Sequence, residues 1–195
     1  MTVPHGTHEN PFNSSRIRPG AMPFLFPPNQ NAETLVELLE RNHWWGEIVG
    51  PHGSGKSSLL ASLIPMIKRA GRPVVLVELH DGQRRLPMRF DARLQSHAVV
   101  IVDGYEQLSR WNRFWLKRRC RRRNLGLLAT SHVSVGLPEI YRTAVTPESA
   151  GRVVNLLLDG RTPPFGEAEL SDCLSRHAGN LREALFELYD VCERR

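Results

Sequence analysis

Cysteine is scarce in this 195-residue chain and poorly placed for chemistry: Cys120, Cys173 and Cys192 are odd in number and widely separated. That argues against a disulfide framework and, with no paired ligand spacing, against a zinc site, so reduced thiols are expected. No apolar run approaches the roughly eighteen residues a bilayer crossing needs, which argues against a membrane protein. Met1 to Asn10 offers no basic start followed by an apolar stretch, so no secretory leader is expected and the chain is assigned to the cytoplasm. Internal repeats and long low-complexity tracts are missing as well. What remains, 41% hydrophobic and 24% charged residues, suits one well-buried domain with room for a small appendage. The net charge of +6 suits an acidic partner such as nucleic acid, but a site for a small phosphorylated ligand gathers the same charge, so charge alone decides nothing.

Prolines at 4, 11, 19, 23, 27 and 28 predict an extended arm over residues 1–30, with Phe24, Leu25 and Phe26 either covering a domain edge or lining a ligand pocket. Ala32 to Asn42 has Leu35, Leu38 and Leu39 on one helical face and Glu33, Glu37 and Glu40 on the other. A strand is expected from Trp44 to Val49, then a helix from Ser57 to Ala70 bent at Pro65. Val74 to Leu79, Val99 to Val102 and Leu125 to Ala129 are apolar without alternation, as strands buried on both faces of a parallel sheet are. Ala144 to Thr146 is a weaker strand candidate. Residues 31–146 therefore read as a three-layer α/β domain, and residues 147–195, with helical signals only, as three helices. Thr146-Pro147-Glu148 caps the first, whose buried face is expected at Val153, Leu156 and Leu157. The second carries Leu170, Cys173, Leu174, His177 and Ala178. Gly179 and Asn180 separate it from the third, which carries Leu181, Ala184, Leu185, Leu188 and Tyr189.

Between the first strand and its helix lies Gly50-Pro51-His52-Gly53-Ser54-Gly55-Lys56-Ser57, which has the spacing and context of a phosphate-binding P-loop. Its glycines let backbone N–H groups turn inward around phosphate oxygens, and the helix N-terminus adds positive potential. Lys56 is assigned to the β and γ phosphates and Ser57 to magnesium; Ser58 completes the set of candidate nucleotide contacts. A glycine-rich turn with a chance lysine would leave the strand-helix context unexplained. Val99 to Val102 then deliver Asp103 at a strand C-terminus, where open α/β sheets bind ligands, and Asp103 is the second magnesium candidate. ATP with Mg²⁺ is the expected ligand.

With these motifs the chain resembles the AAA+ class of P-loop ATPases, over roughly residues 10–192. The resemblance implies a P-loop domain followed by a small C-terminal helical lid, and an ATPase or ATP-dependent switch acting on a macromolecular partner, possibly as a homo-oligomer. Asn10-Pro11-Phe12 resembles the start of bacterial secretion and transposition ATPases of that class. Leu127-Leu128-Ala129-Thr130-Ser131-His132 resembles the strand ending in the first sensor, which implies a γ-phosphate or water contact for Thr130 or Ser131. Gly179-Asn180-Leu181-Arg182-Glu183-Ala184-Leu185 resembles the lid segment bearing a second sensor arginine, here Arg182; the alternative is an exposed first-turn arginine. One departure concerns catalysis. The family places glutamate directly after the magnesium aspartate, whereas this chain has Gly104. The base is left open between Glu106, reached if Gly104 permits a turn, Glu78 on the neighbouring strand, and neither, which would make the protein a slow nucleotide switch. Arg142, expected before the last strand, is either an arginine finger for a neighbouring subunit or a solvated residue.

Trp111 to Arg123 joins Trp111, Phe114 and Trp115 to Lys117, Arg118, Arg119, Arg121, Arg122 and Arg123. Either the cations of the Arg118–Arg123 stretch bind DNA or RNA phosphates, or the aromatics pack on the sheet while the cations face water at a helix C-terminus. His52 and His132 lack ligand spacing and are read as non-metal histidines. A small-molecule kinase and an ATP-controlled nucleic-acid-binding module are the competing functions. The kinase is disfavoured because a helical bundle follows the last strand, where such enzymes commonly carry an arginine-bearing lid inside the α/β domain.

Overall fold

The computed structural model describes residues 22–80, 82–87, 90, 94–160, 162 and 165–193. Most of the N-terminal arm, including Asn10-Pro11-Phe12, lies outside the described residues. Its end, Met22 to Gln30, has no helix or strand, only a turn. Helix α1 (Ala32–Arg41) starts at Asn31, whose side chain accepts from Thr34 N in a reciprocal capping box. Strand β1 (Trp45–Val49) leads through the P-loop into α2 (Lys56–Arg69), which continues through Pro65. Strands β2 (Val74–Glu78) and β3 (Val99–Asp103) follow, then a 3₁₀ turn at Tyr105–Gln107, helix α3 (Arg110–Arg122), and strands β4 (Gly126–Ser131) and β5 (Glu139–Arg142). Helices α4 (Pro147–Leu158), α5 (Glu167–Arg176) and α6 (Leu181–Glu193) close the chain.

The five strands form one parallel sheet in the order β2-β3-β4-β1-β5. Apolar runs without alternation are required because both faces are covered. On one face Leu35, Leu39, Leu59, Leu63 and Ile67 of α1 and α2 pack on Ile48, Val99, Ile101 and Leu128. On the other, Tyr105, Leu108, Leu116 and Cys120 pack on Val75, Val77, Val100, Val102, Leu127 and Ala129. Each fully buried leucine in these layers contributes about 1.5–3 kcal/mol. The last three helices have a core of their own, with Ala150, Val154, Leu157, Leu170, Cys173, Leu174, Ala184, Leu185 and Leu188.

Three local expectations are corrected. The last strand is Glu139–Arg142, with Arg142 on it, not Ala144 to Thr146; as an edge strand it buries only Ile140, so no apolar run announces it. Helix α4 buries Ala150, Val154, Leu157 and Leu158, while Leu156 is 46% exposed, a face displaced by about one position from the expected one. Helix α5 stops at Arg176, because Ala178 and Gly179 both take positive φ, which cannot continue a right-handed helix. Among the described residues no helix is long and apolar enough to cross a membrane.

Glu47 is the unexpected member of the core. It is 1% exposed in the middle of β1 and accepts from Ser134 Oγ at 2.5 Å, Val135 N at 2.8 Å and Leu137 N at 3.3 Å. The carboxylate thereby fixes the loop that follows β4. Glu47→Ala strands these donors and is expected to lower stability by about 2–4 kcal/mol. A urea midpoint equal to wild type would contradict this.

Candidate nucleotide site

The loop between β1 and α2 leaves no room for side chains at two of its glycines, Gly50 and Gly53. A Cβ at Gly50 would lie 2.0 Å from Thr143 Oγ1, and Gly53, at φ +67°, would place one 1.8 Å from Asn180 Oδ1. Gly55 is the N-cap of α2 in the left-handed region, with no side-chain cap and no acid in the first turn. The first N–H groups of α2 are therefore left for an external acceptor, which is the electrostatic requirement for holding phosphate.

Lys56 Nζ donates to Gly50 O and Pro51 O, both at 2.7 Å, and lies 3.3 Å from His132 Nδ1. Burial lowers its pKa, opposed by the nearby charges of Glu106 and Asp103. A partly desolvated ammonium held by two carbonyls lacks a full counter-charge, and an anionic phosphate would supply one. Ser57 Oγ donates to Asp103 Oδ2 at 2.7 Å, so the two oxygens assigned to magnesium are adjacent. They are hard oxygen donors beside a phosphate cradle, which fits Mg²⁺.

The order of strands explains what else arrives here. Because β4 lies between β1 and β3, its C-terminal residues fall between Lys56 and Asp103. Thr130, fully buried, donates to Asp103 Oδ1 at 2.5 Å and accepts from Gly104 N at 3.0 Å, which fixes the carboxylate that faces Ser57. Ser131 is fully buried and its Oγ has no hydrogen-bond partner among the described residues. The side chain that spans the site is His132, whose Nε2 lies 2.8 Å from Glu106 Oε1 while its Nδ1 faces Lys56 Nζ and Gly50 O. Its ring stacks on His52 with centroids 3.6 Å apart. Sequence reasoning gave His132 no role, since an isolated histidine has no spacing signal; its place directly after the sensor-like strand was the available clue.

Gly104, at φ +81°, makes the turn that brings Glu106 inward, and a Cβ there would meet Leu79 O at 2.8 Å. Glu106 Oε2 is buried with no hydrogen-bond partner among the described residues. Glu78 is exposed at the end of the edge strand β2, in register with Asp103 but separated from β1 by two strands. The structure thus brings Glu106 and not Glu78 to the Lys56 side. Thr130→Val, which removes the hydroxyl holding Asp103, is expected to weaken magnesium-dependent triphosphate binding about tenfold while sparing binding without the metal. Titrations with and without Mg²⁺ would test this, and equal losses in both would contradict it.

No family model and no curated protein matches the chain in sequence. Solved structures do match. The RuvB Holliday junction branch migration motor of Thermotoga maritima superposes with a TM-score of 0.56 at 16% identity, covering 83% of this chain and 60% of that one. A second RuvB structure gives 0.57 at 14% identity over 86% and 63%, and AMPPCP-bound DnaA from Aquifex aeolicus gives 0.55 at 17% over 83% and 61%. The chain has the fold of AAA+ P-loop ATPases. It spans about three-fifths of the length of these AAA+ structures.

Within this AAA+ fold the C-terminal helices meet the P-loop through the start of α6. Asn180 Oδ1 and Arg182 N sit against Gly53, and Asn180 Oδ1 also accepts from Glu183 N at 3.4 Å. The Arg182 guanidinium is exposed and lies over the Phe186 ring of its own helix, 5.9 Å from the centroid. Its backbone is beside the phosphate loop, but its charged head is directed along α6. On the arm, Phe24 lies 3.4 Å from the Cβ position of Gly55 and meets Phe26 and Tyr141 edge-on at 5.0 and 5.6 Å. Arg142 is ion-paired with Glu139 on the exposed edge strand.

Proposed function

We propose that the chain is a magnesium-dependent, ATP-binding ATPase of the AAA+ type that acts on nucleic acid and works in the cytoplasm as a homo-oligomer. The observation carrying this reading is the continuous path Lys56–His132–Glu106 beside the Ser57–Asp103 pair. The P-loop, Gly50 to Ser58, would hold the phosphates. Ser57 and Asp103 would hold Mg²⁺, which supplies charge neutralisation on the phosphate oxygens. Lys56 would exchange the carbonyls of Gly50 and Pro51 for phosphate oxygens. That movement alters the partner of His132 Nδ1 and, through the ring, its hold on Glu106. Glu106 would take a proton from the attacking water as its oxygen bonds to the γ-phosphorus and the bond to the β-phosphate oxygen breaks. Arg182 would reach the γ-phosphate by leaving Phe186, and Ser131, whose carbonyl accepts from Gly50 N at 3.1 Å, would support the start of the P-loop.

The nucleic-acid element rests on the basic helix α3 and on a Holliday junction motor among the similar folds. α3 is also mechanically tied to the proposed base: Arg113 donates to Glu106 O at 2.5 Å and to Leu108 O at 2.8 Å. A second reading, an ATP-controlled nucleic-acid-binding module with slow turnover, is favoured by the engagement of Glu106 with His132. Steady-state ATP hydrolysis across protein concentrations, with and without DNA or RNA, tests both. The ATPase reading expects turnover per chain to rise with concentration and with nucleic acid, and Arg142→Ala to remove the concentration dependence. No turnover under any condition, with triphosphate binding intact, would leave the module.

A further inference from the structure

The side of α3 turned away from the sheet carries a surface the nucleotide site does not use. The helix buries only Leu116 and Cys120, while Arg113 and Lys117 reach back to carbonyls of Leu108 and Val135. Trp111, Phe114 and Trp115, at helical spacing, are 68%, 55% and 46% exposed and touch one another with ring centroids 5.7 to 6.3 Å apart. Among the described residues, every exposed Phe, Tyr or Trp lies in this trio. Packing on the sheet, the simpler of the two expectations for these rings, is therefore not what they do.

The cations around the trio are not explained by the helix alone. Arg118, Arg122 and Arg123 are exposed near the C-terminus of α3, where the helix dipole favours positive charge. Arg110, Arg84 and Arg85 are exposed at the opposite end, where the dipole opposes it. Arg84 is fixed there by its carbonyl, which accepts from Asn112 Nδ2 at 2.7 Å and Ser109 N at 3.3 Å. It joins Arg85, Gly82, Gln83 and Pro87 in lining an open groove of about 480 Å³. No acidic residue lies on α3. The pattern is cation, aromatic, cation along a helix of roughly 20 Å.

Deepening the nucleic-acid part of the reading above, we propose that this face is a stacking platform for single-stranded nucleic acid. Its rings carry unstacked bases and its flanking arginines carry the phosphates. The selection of a single strand follows from the geometry of the ligand. A duplex presents phosphates but hides the faces of its bases, so it satisfies the arginines and leaves the rings wet. A single strand satisfies both, and every base has a face to stack.

The test is anisotropy of a labelled oligonucleotide of about 20 nucleotides, single-stranded and as a duplex, titrated with the full chain at several salt concentrations. The single strand should bind more tightly and quench tryptophan fluorescence. Trp111→Ala with Trp115→Ala should lower its affinity at least about 30-fold with the salt slope unchanged. Arg118→Gln with Arg122→Gln should instead reduce the slope by about 0.7 for each phosphate no longer neutralised. Both variants change exposed side chains and should bind ATP as wild type does, which controls for folding. Equal or tighter duplex binding, or undiminished affinity after removal of the rings, overturns the stacking platform while leaving nucleic-acid binding in place. Absence of any binding at low salt overturns nucleic acid altogether, and ATP hydrolysis measured alone then decides the ATPase reading separately. Conversion of an oligomer to a monomer by the ring variant, with no effect on the oligonucleotide, overturns it in favour of a second copy of this chain.

Discussion

Lys56→Ala is expected to abolish tight binding of the magnesium triphosphate. The ammonium is held by two carbonyls at 2.7 Å in surroundings that lower its pKa, so its charge is only partly compensated before a ligand arrives. Transfer onto phosphate replaces neutral acceptors with anionic ones, and each charge-assisted hydrogen bond of this kind contributes about 1.5–3 kcal/mol. Without these bonds the affinity should fall by roughly 100-fold or more. Burial disfavours the charged lysine, so deleting it relieves a desolvation cost that offsets the loss of its two carbonyl contacts, and the melting temperature without ligand should change little. What should vanish is the stabilisation by nucleotide, which for wild type reaches about 2.7 kcal/mol when ligand is present at 100 times Kd. Calorimetry showing wild-type affinity in the variant would refute the assignment of the loop.

The central strands were legible in the sequence because burial on two faces demands unbroken apolar runs, as in Val99-Val100-Ile101-Val102, and the P-loop because its glycines answer to local steric demands. β5 was not legible, because an edge strand that buries Ile140 alone carries no such run. The orientation of α3 was open for a related reason: Trp111, Phe114 and Trp115 fit a buried face as well as Leu116 and Cys120 do. Only the packed structure shows which set takes the sheet. His132 and Glu47 share a different difficulty. Each is a single polar residue whose partners are distant in the chain, Glu106 and Lys56 for one and the loop from Ser134 to Leu137 for the other. The order of strands, not any local pattern, brings those partners together. The same order decides the placement of Thr130, which faces Asp103 and supports it from behind.

Glu106→Gln should preserve ATP binding and lower turnover by about 10²–10⁴-fold, the range that removal of a positioned general base produces. Glutamine keeps the shape and still offers an oxygen to His132 Nε2, but it cannot take the proton of an attacking water. The buried Oε2, without a hydrogen-bond partner among the described residues, is the atom on which this depends, since a carboxylate oxygen with no donor keeps its capacity to accept a proton. Glu78→Gln is the matching control. Its carboxylate is exposed and two strands removed from β1, so its turnover should stay within about twofold of wild type. His132→Ala separates positioning from chemistry: with Glu106 present but released from its 2.8 Å partner, turnover should fall less than in Glu106→Gln. Combining the two changes should add little further loss, because both act on one step. Pre-steady-state hydrolysis in the four variants, with nucleotide affinity measured beside it, resolves these effects. A loss confined to Glu78→Gln would move the base to the neighbouring strand, and fully additive losses in the double variant would show that His132 acts on something other than Glu106.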